Sequence, residues 1–236
     1  MDVIILAGGL GTRLRSVVND VPKCMAPIHN RPFLYYLLIY LKRCLSIDKV
    51  ILSLGYKYEV VTNWIEQQTE FPFPFVYSIE NTPLGTGGAI KKALSYSDTS
   101  EILVLNGDTF FNIDLNSFLK EHQTSAQSLS LALKSMSEFD RYGNVILSPH
   151  NSILDFQEKG FCKLGQINAG VYLLNNKDVF FNALPDKFSF EKEVLEPLAK
   201  TGKICGFVHD GYFIDIGIPE DYEKANREFS SLFNAV

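Results

Sequence analysis

The sequence has 236 residues, and its 22 Lys plus Arg against 27 Asp plus Glu give a formal net charge of -5. That length can bury a core without disulfide or metal staples, and 46% hydrophobic against 21% charged residues excludes a disordered chain. The acidic balance excludes a broad basic face for nucleic acid, and the four cysteines (Cys24, Cys44, Cys162, Cys205) have neither zinc-ligand spacing nor the density of a secreted disulfide scaffold.

In chain order, Val3 to Ala7 is a continuous apolar run, the pattern of a strand buried on both faces of a parallel sheet. It is too short to span a membrane and no basic segment precedes it, so a cytoplasmic protein without membrane contact is expected. A glycine-rich loop leaves it: Gly8-Gly9-Leu10-Gly11-Thr12-Arg13. Pro32 introduces a helix over 33–45, Val50 to Leu54 is a second buried strand, and 58–68 reads as a helix. Phe75 to Ile79, 86–96 and Ile102 to Leu105 read as strand, helix and strand, the last ending in Asn106-Gly107-Asp108. Strands alternating with helices imply right-handed crossovers and a parallel sheet. The second half changes character: short strands are expected at 129–133, 144–147, 153–157 and 167–174, and helices at 194–200 and 219–229. The helix carrying Tyr35, Tyr36 and Tyr40 reads as core or as subunit interface, which leaves a homo-oligomer open.

The chemistry starts at the first loop. Glycines after a buried strand let backbone N–H groups approach an anion without interference from a Cβ. The carboxyl end of a parallel strand is where α/β sheets bind ligands, and Arg13 can grip phosphate oxygens with its fork. Gly-Gly-Leu-Gly fits neither the dinucleotide fingerprint nor the Walker pattern. A plain strand-to-helix turn would look similar.

The pattern sharpens with Pro22-Lys23, ten residues beyond Arg13. Leu6-Ala7-Gly8-Gly9-Leu10-Gly11-Thr12-Arg13-Leu14 followed by Pro22-Lys23-Cys24-Met25-Ala26-Pro27 resembles the nucleotidyltransferases that activate sugar 1-phosphates. The resemblance covers nearly the whole chain. Glu80-Asn81-Thr82-Pro83-Leu84-Gly85-Thr86-Gly87-Gly88-Ala89 looks like the family's base-reading loop, and Asn106-Gly107-Asp108 like its metal-binding motif. Glu158-Lys159 and Asn168-Ala169-Gly170-Val171-Tyr172 look like its sugar-binding stretches. Phe213-Ile214-Asp215-Ile216-Gly217-Ile218-Pro219 is similar to its second aspartate motif.

The resemblance implies an α/β, Rossmann-like, mostly parallel central sheet flanked by helices, with added strands forming a sugar-binding lobe. It implies one nucleotidyltransferase domain over 1–236, with a nucleotide part over about 1–110 and a sugar part over about 111–236. The substrates implied are a nucleoside triphosphate and a sugar 1-phosphate, and the cofactor is Mg²⁺. Leu6, Ala7, Gly8, Gly9, Gly11, Thr12, Arg13, Glu80, Pro83, Gly85, Thr86 and Gly107 would bind the nucleotide. Lys23, Gly143, Glu158, Lys159, Asn168 and Gly170 would bind the sugar phosphate. Asp108 and Asp215 would hold the metal, and Arg13, Lys23 and Asp108 would act in catalysis, with Arg15 a weaker candidate. Hard Mg²⁺ takes oxygen ligands from carboxylates and substrate phosphates, which suits two aspartates at separate strand ends.

Glu80 favours GTP, because an ionised carboxylate accepts two hydrogen bonds and guanine offers N1–H and N2–H side by side. Uracil and thymine, with one donor between carbonyls, suit an amide better. Residues 11–17 and 83–90 look most like D-glycero-α-D-manno-heptose 1-phosphate guanylyltransferases, with mannose 1-phosphate enzymes the near neighbour and a UTP or CTP enzyme open. A non-catalytic regulatory subunit is the alternative of another class, and intact Arg13, Lys23, Asp108 and Asp215 argue against it. Ser16, Cys24, Phe213 and Ile218 depart from the usual family residues and remove no proposed charge.

Overall fold

The computed structural model describes residues 1–9, 11–14, 17–18, 20–44, 46–175 and 181–233. Strand β1 (Asp2–Leu6) is followed by the 3₁₀ turns Thr12–Leu14 and Lys23–Met25. A tight hairpin joins β2 (Pro27–Ile28) to β3 (Arg31–Pro32). His29 and Asn30 at its tip both have positive φ, 46° and 66°, as a two-residue mirror-image turn requires. Then come α1 (Phe33–Cys44), β4 (Lys49–Leu54), α2 (Tyr58–Ile65), β5 (Phe75–Ile79), α3 (Gly85–Leu94) and β6 (Glu101–Asn106). The second half holds β7 (Thr109–Phe111), α4 (Leu115–Ser125), β8 (Leu129–Phe139), β9 (Val145–Leu147), β10 (Ile153–Phe156) and β11 (Cys162–Asn175). A π-helical turn over Glu191–Leu195 runs into α5 (Glu196–Ala199). Strands β12 (Cys205–His209) and β13 (Phe213–Asp215) and helix α6 (Pro219–Phe233) complete the described chain.

The central sheet has the order β12-β8-β11-β6-β1-β4-β5. Only β11 opposes the others, so the sheet is mostly parallel, as expected. Alternation along β1 sends Val3 and Ile5 to one face and Ile4 to the other, and each face has its own core. The first core is closed by α1 and α6, where Phe33 and Phe229 stack at 5.8 Å. Tyr36 and Tyr40 belong to it: their hydroxyls donate to the Ile28 and Ile113 carbonyls at 2.9 and 2.7 Å. The second core is closed by α3 and the 188–195 segment. Among the described residues no helix is long and apolar enough to cross a membrane.

Several boundaries differ from the sequence reading. Strands β8 and β11 run on to Phe139 and start at Cys162, because their outer halves pair with each other beyond the sheet. The 194–200 helix is a π-helical turn followed by four α-helical residues, with Pro197 in the first turn of the latter. Helix α4 has no counterpart in the sequence reading. Its N-terminus is capped by Asp114, which accepts from Asn116 N–H at 3.0 Å, Ser117 N–H at 3.2 Å and the Ser117 hydroxyl at 2.7 Å. These bonds, led by the Ser117 hydroxyl, hold the Asp114 carboxyl below its ordinary range. A depressed folded value adds stability above the unfolded carboxylate range, and acid removes it. Asp114→Ala is therefore expected to lower the thermal midpoint at neutral pH by about 2–4 °C. The difference from wild type should shrink when both are melted well below the carboxylate range; an equal gap at all pH values would contradict the cap.

Candidate active site

Register alone aligns one row of side chains across the carboxyl ends of four adjacent parallel strands. Leu6 of β1 pairs with Asn106 of β6 on one side and with Ser53 of β4 on the other, and Ser53 pairs with Ser78 of β5. Two residues further into the sheet the same face carries Val104, Ile4, Ile51 and Val76. Around Leu6 the apolar floor thus gives way to the polar Asn106, Ser53 and Ser78 where the strands end. Above this row opens a cavity of about 300 Å³. Leu6, Gly8, Gly9, Ser53, Glu80, Pro83, Gly85, Thr86, Ala89, Asn106 and Asp108 line it.

Glu80 stands at one end. Its backbone N–H continues β5 by donating to the Leu54 carbonyl at 2.7 Å, which turns the side chain over the loop after β1. Leu84 N–H donates to Oε2 at 2.9 Å and the Ser53 hydroxyl to Oε1 at 3.3 Å. A Cβ on Gly8 would lie 2.7 Å from Oε1, so only glycine lets the carboxylate sit there. Gly87 and Gly88 serve packing. A Cβ on Gly87 would strike the Phe188 ring and one on Gly88 the Asp186 carbonyl, each at 2.1 Å. Thr86 is engaged as well: its hydroxyl donates to Glu191 Oε2 at 2.7 Å and accepts from Phe190 N–H at 2.9 Å.

The acidic end is assembled from two strand ends. Strands β7 and β13 pair so that Asp215 lies opposite Thr109, and Ile216 N–H donates to the Asp108 carbonyl at 3.0 Å. Asp108 Oδ2 accepts from Lys23 Nζ at 2.5 Å. Burial, and next the Asp108 charge, push the Asp215 carboxyl above its ordinary range, against the pull of Lys23 and Arg13. Two carboxylates held together at a cost in mutual repulsion form a receptor for a cation. Among the described residues no three His, Cys, Asp or Glu side chains converge as a metal cage. Two carboxylates suit a hard divalent ion that completes its shell with substrate oxygens. Gly11, at φ +58°, lays the glycine loop against Lys23, where a Cβ would be 3.4 Å from the Lys23 Cβ. Gly107 crosses the end of β1 so closely that a Cβ would lie 2.7 Å from the Leu6 carbonyl oxygen. Cys24, buried beside this site, has its thiol pushed up to about 12 by burial and by Asp108, so it is an inert packing residue.

A profile of the nucleotidyl transferase family matches residues 2–231. The chain belongs to that family. A curated relative, D-glycero-alpha-D-manno-heptose 1-phosphate guanylyltransferase of Aneurinibacillus thermoaerophilus, is 48% identical over 97% of this chain and 98% of its own length. The enzyme of the same name from Campylobacter jejuni is 48% identical over 94% of this chain and 97% of its own. A crystal structure of HddC from Yersinia pseudotuberculosis complexed with GMP-PN superposes with a TM-score of 0.86 at 41% identity, covering 97% of this chain and 99% of that one. Nucleotidyltransferases of this family generally use a divalent metal, and the substrates of a guanylyltransferase are a nucleoside triphosphate and a sugar 1-phosphate.

In this nucleotidyltransferase the residues read as sugar-binding are more dispersed. Gly143 packs against the Gln157 carbonyl, 2.5 Å from where its Cβ would be, which ties the two loops together. Glu158 and Lys159 stand exposed on the loop between β10 and β11, without a hydrogen bond or ion pair among the described residues. Asn168 sits at a register shift of β11; its Oδ1 accepts from Gly170 N–H and its Nδ2 donates to Tyr172 Oη, both at 3.0 Å. Gly170, at φ +70°, passes 2.5 Å (from a would-be Cβ) under Asn106 Nδ2. Arg13 is exposed, and its charge still lowers the Asp215 carboxyl. Arg15 and the Thr12 side chain lie outside the described residues.

Ser53, Tyr142 and Arg141 escaped the sequence reading, and Asn106 entered it only as part of the Asn106-Gly107-Asp108 motif. Ser53 and Asn106 line the cavity. Tyr142 lies beside Asp215 with its ring 5.9 Å from Phe213, and burial, then the Asp215 charge, push its hydroxyl up to about 12. Arg141 pairs with Asp221 at 2.6 Å behind it. A serine inside the apolar run 50–54 was the available signal for Ser53.

Proposed function

We propose that this chain transfers a guanylyl group from GTP to D-glycero-α-D-manno-heptose 1-phosphate, giving GDP-heptose and pyrophosphate. One arrangement supports the reading: a single cavity lined by Glu80 at one end and by Asp108, paired with Lys23, at the other. Full-length likeness at 48% identity to heptose 1-phosphate guanylyltransferases supports this sugar.

In this reading Glu80 reads guanine, and the backbone of Gly8, Gly9 and Gly11 with Arg13 receives the triphosphate. Leu6, Ala7, Thr12, Pro83, Gly85, Thr86 and Gly107 shape the nucleotide seat. Residues 1–110 form the nucleotide part and 111–236 the sugar part, where Gly143, Glu158, Lys159, Asn168 and Gly170 meet the sugar phosphate. Its phosphate oxygen is already an anionic nucleophile, so no Ser, Cys or base is required. It attacks the α-phosphorus in line and pyrophosphate leaves. The residues align two polyanions and neutralise charge: Lys23 serves the phosphoryl oxygens at the reacting centre, and Arg13 the departing phosphates. Mg²⁺, held by Asp108 and Asp215, would supply further charge neutralisation when bound.

The test is pyrophosphate release with Mg²⁺ over a grid of GTP, UTP, CTP, dTTP and ATP against heptose, mannose and glucose 1-phosphates. GTP with the heptose phosphate is the expected preferred pair. Preference for another pair would keep the reaction and overturn the substrates. Silence across the grid from folded protein would overturn the proposal.

A further inference from the structure

The carboxylate of Glu80 is not free to rotate. An ionised carboxylate has about four acceptor directions, two on each oxygen. One on Oε2 is taken by Leu84 N–H and one on Oε1 by the Ser53 hydroxyl. Each oxygen thus keeps one acceptor direction, the number guanine needs for N1–H and N2–H. Ser53 is wholly buried, and strand register fixes it between Leu6 and Ser78. Ser78 is its counterpart without the function: wholly buried, on the same face, one strand further out, and its hydroxyl has no hydrogen-bond partner among the described residues. It lies outside the cavity lining.

We infer that Ser53 is a specificity-determining positioning residue, whose hydroxyl locks the Glu80 carboxylate into the orientation that accepts both guanine donors. This rests on Glu80 being the base-reading group. Without the Ser53 bond, one oxygen gains an unfilled acceptor direction and the carboxylate can pivot about the Leu84 N–H. A pivoted carboxylate still meets N1–H and loses N2–H. The consequence is selective: the 2-amino group stops counting. Discrimination between GTP and ITP, which lacks that group, is therefore the quantity that reports on Ser53. Turnover at saturation should not, because the reacting phosphates sit at the other end of the cavity.

The experiment measures kcat and KM for GTP and for ITP with the heptose 1-phosphate, for wild type, Ser53→Ala, Ser78→Ala and Glu80→Gln. Ser53→Ala is expected to reduce the GTP-over-ITP preference in kcat/KM by about tenfold, the worth of one hydrogen bond. The loss should fall mostly on KM for GTP. Ser78→Ala removes the same atom from the next strand and is expected to keep the wild-type ratio, with a thermal midpoint no lower. Ser53→Cys keeps the size, weakens the donor and is read the same way should Ser53→Ala not fold. A wild-type ratio in Ser53→Ala while Glu80→Gln loses it overturns the role of Ser53. So does an equal loss in Ser53→Ala and Ser78→Ala, which would be a packing effect. A wild-type ratio in Glu80→Gln instead overturns the base-reading assignment beneath it.

Discussion

Asp108→Asn is expected to cut pyrophosphate release by roughly 10³-fold, the scale of removing a charge that faces a developing phosphoryl transition state. The fold should hardly notice. The substitution breaks the 2.5 Å ion pair with Lys23, whose side chain is only 13% exposed, and that is destabilising. It also removes the like charge that helps to push the Asp215 carboxyl upward, and that is stabilising. The two changes oppose each other at one site. The thermal midpoint, measured without nucleotide or metal, should therefore move by less than about 4 °C, or about 1 kcal/mol at this chain length. The two readouts separate the explanations. Lost turnover with an unmoved midpoint identifies a charge kept for chemistry. Lost turnover with a collapsed midpoint would make Asp108 a structural partner of Lys23. Near wild-type turnover would remove Asp108 from the machinery.

What could be read in advance follows the strength of the local pattern. Strands β1, β4 and β6 are buried on both faces or nearly so, and their apolar runs announced them. Helix α4 was invisible because it buries only Leu115, Phe118 and His122 of eleven residues, and polar Asn, Ser, Lys and Gln dilute the period. The outer part of β8, Ser135 to Glu138, carries no apolar alternation, since it pairs with β11 beyond the end of β12 and is half-buried to exposed. The candidate site divides in the same way. Asp108, Asp215, Lys23 and the glycine loop lie in short motifs, which residue order alone displays. The Asn106-Leu6-Ser53 row does not, because it exists only through register among three strands. Nor could order reveal that Gly87 and Gly88 make room for Phe188 and Asp186, a hundred residues away in the chain.

Glu80→Gln carries the second large expectation, a change of base preference without a change of scaffold. The seat around residue 80 can hold an amide: the carbonyl oxygen can accept the Leu84 N–H, and Ser53 can rotate its hydroxyl to accept from the NH₂. What the amide then shows the cavity is one acceptor beside one donor. Guanine presents two donors there, so one of them faces an N–H and is left unpaired in a half-buried site. Two effects add, a lost hydrogen bond and an unpaired donor, and kcat/KM for GTP is expected to fall by about 10²-fold. Uracil, with N3–H beside a carbonyl, matches the new pattern, so the UTP-to-GTP ratio should rise even if absolute turnover with UTP stays modest. Pyrophosphate release with both nucleotides at a fixed sugar phosphate measures this directly. An unchanged ratio would mean that backbone groups of the 80–86 loop, not the Glu80 side chain, read the base. A uniform fall for both nucleotides would mean that Glu80 supports the loop rather than reading anything.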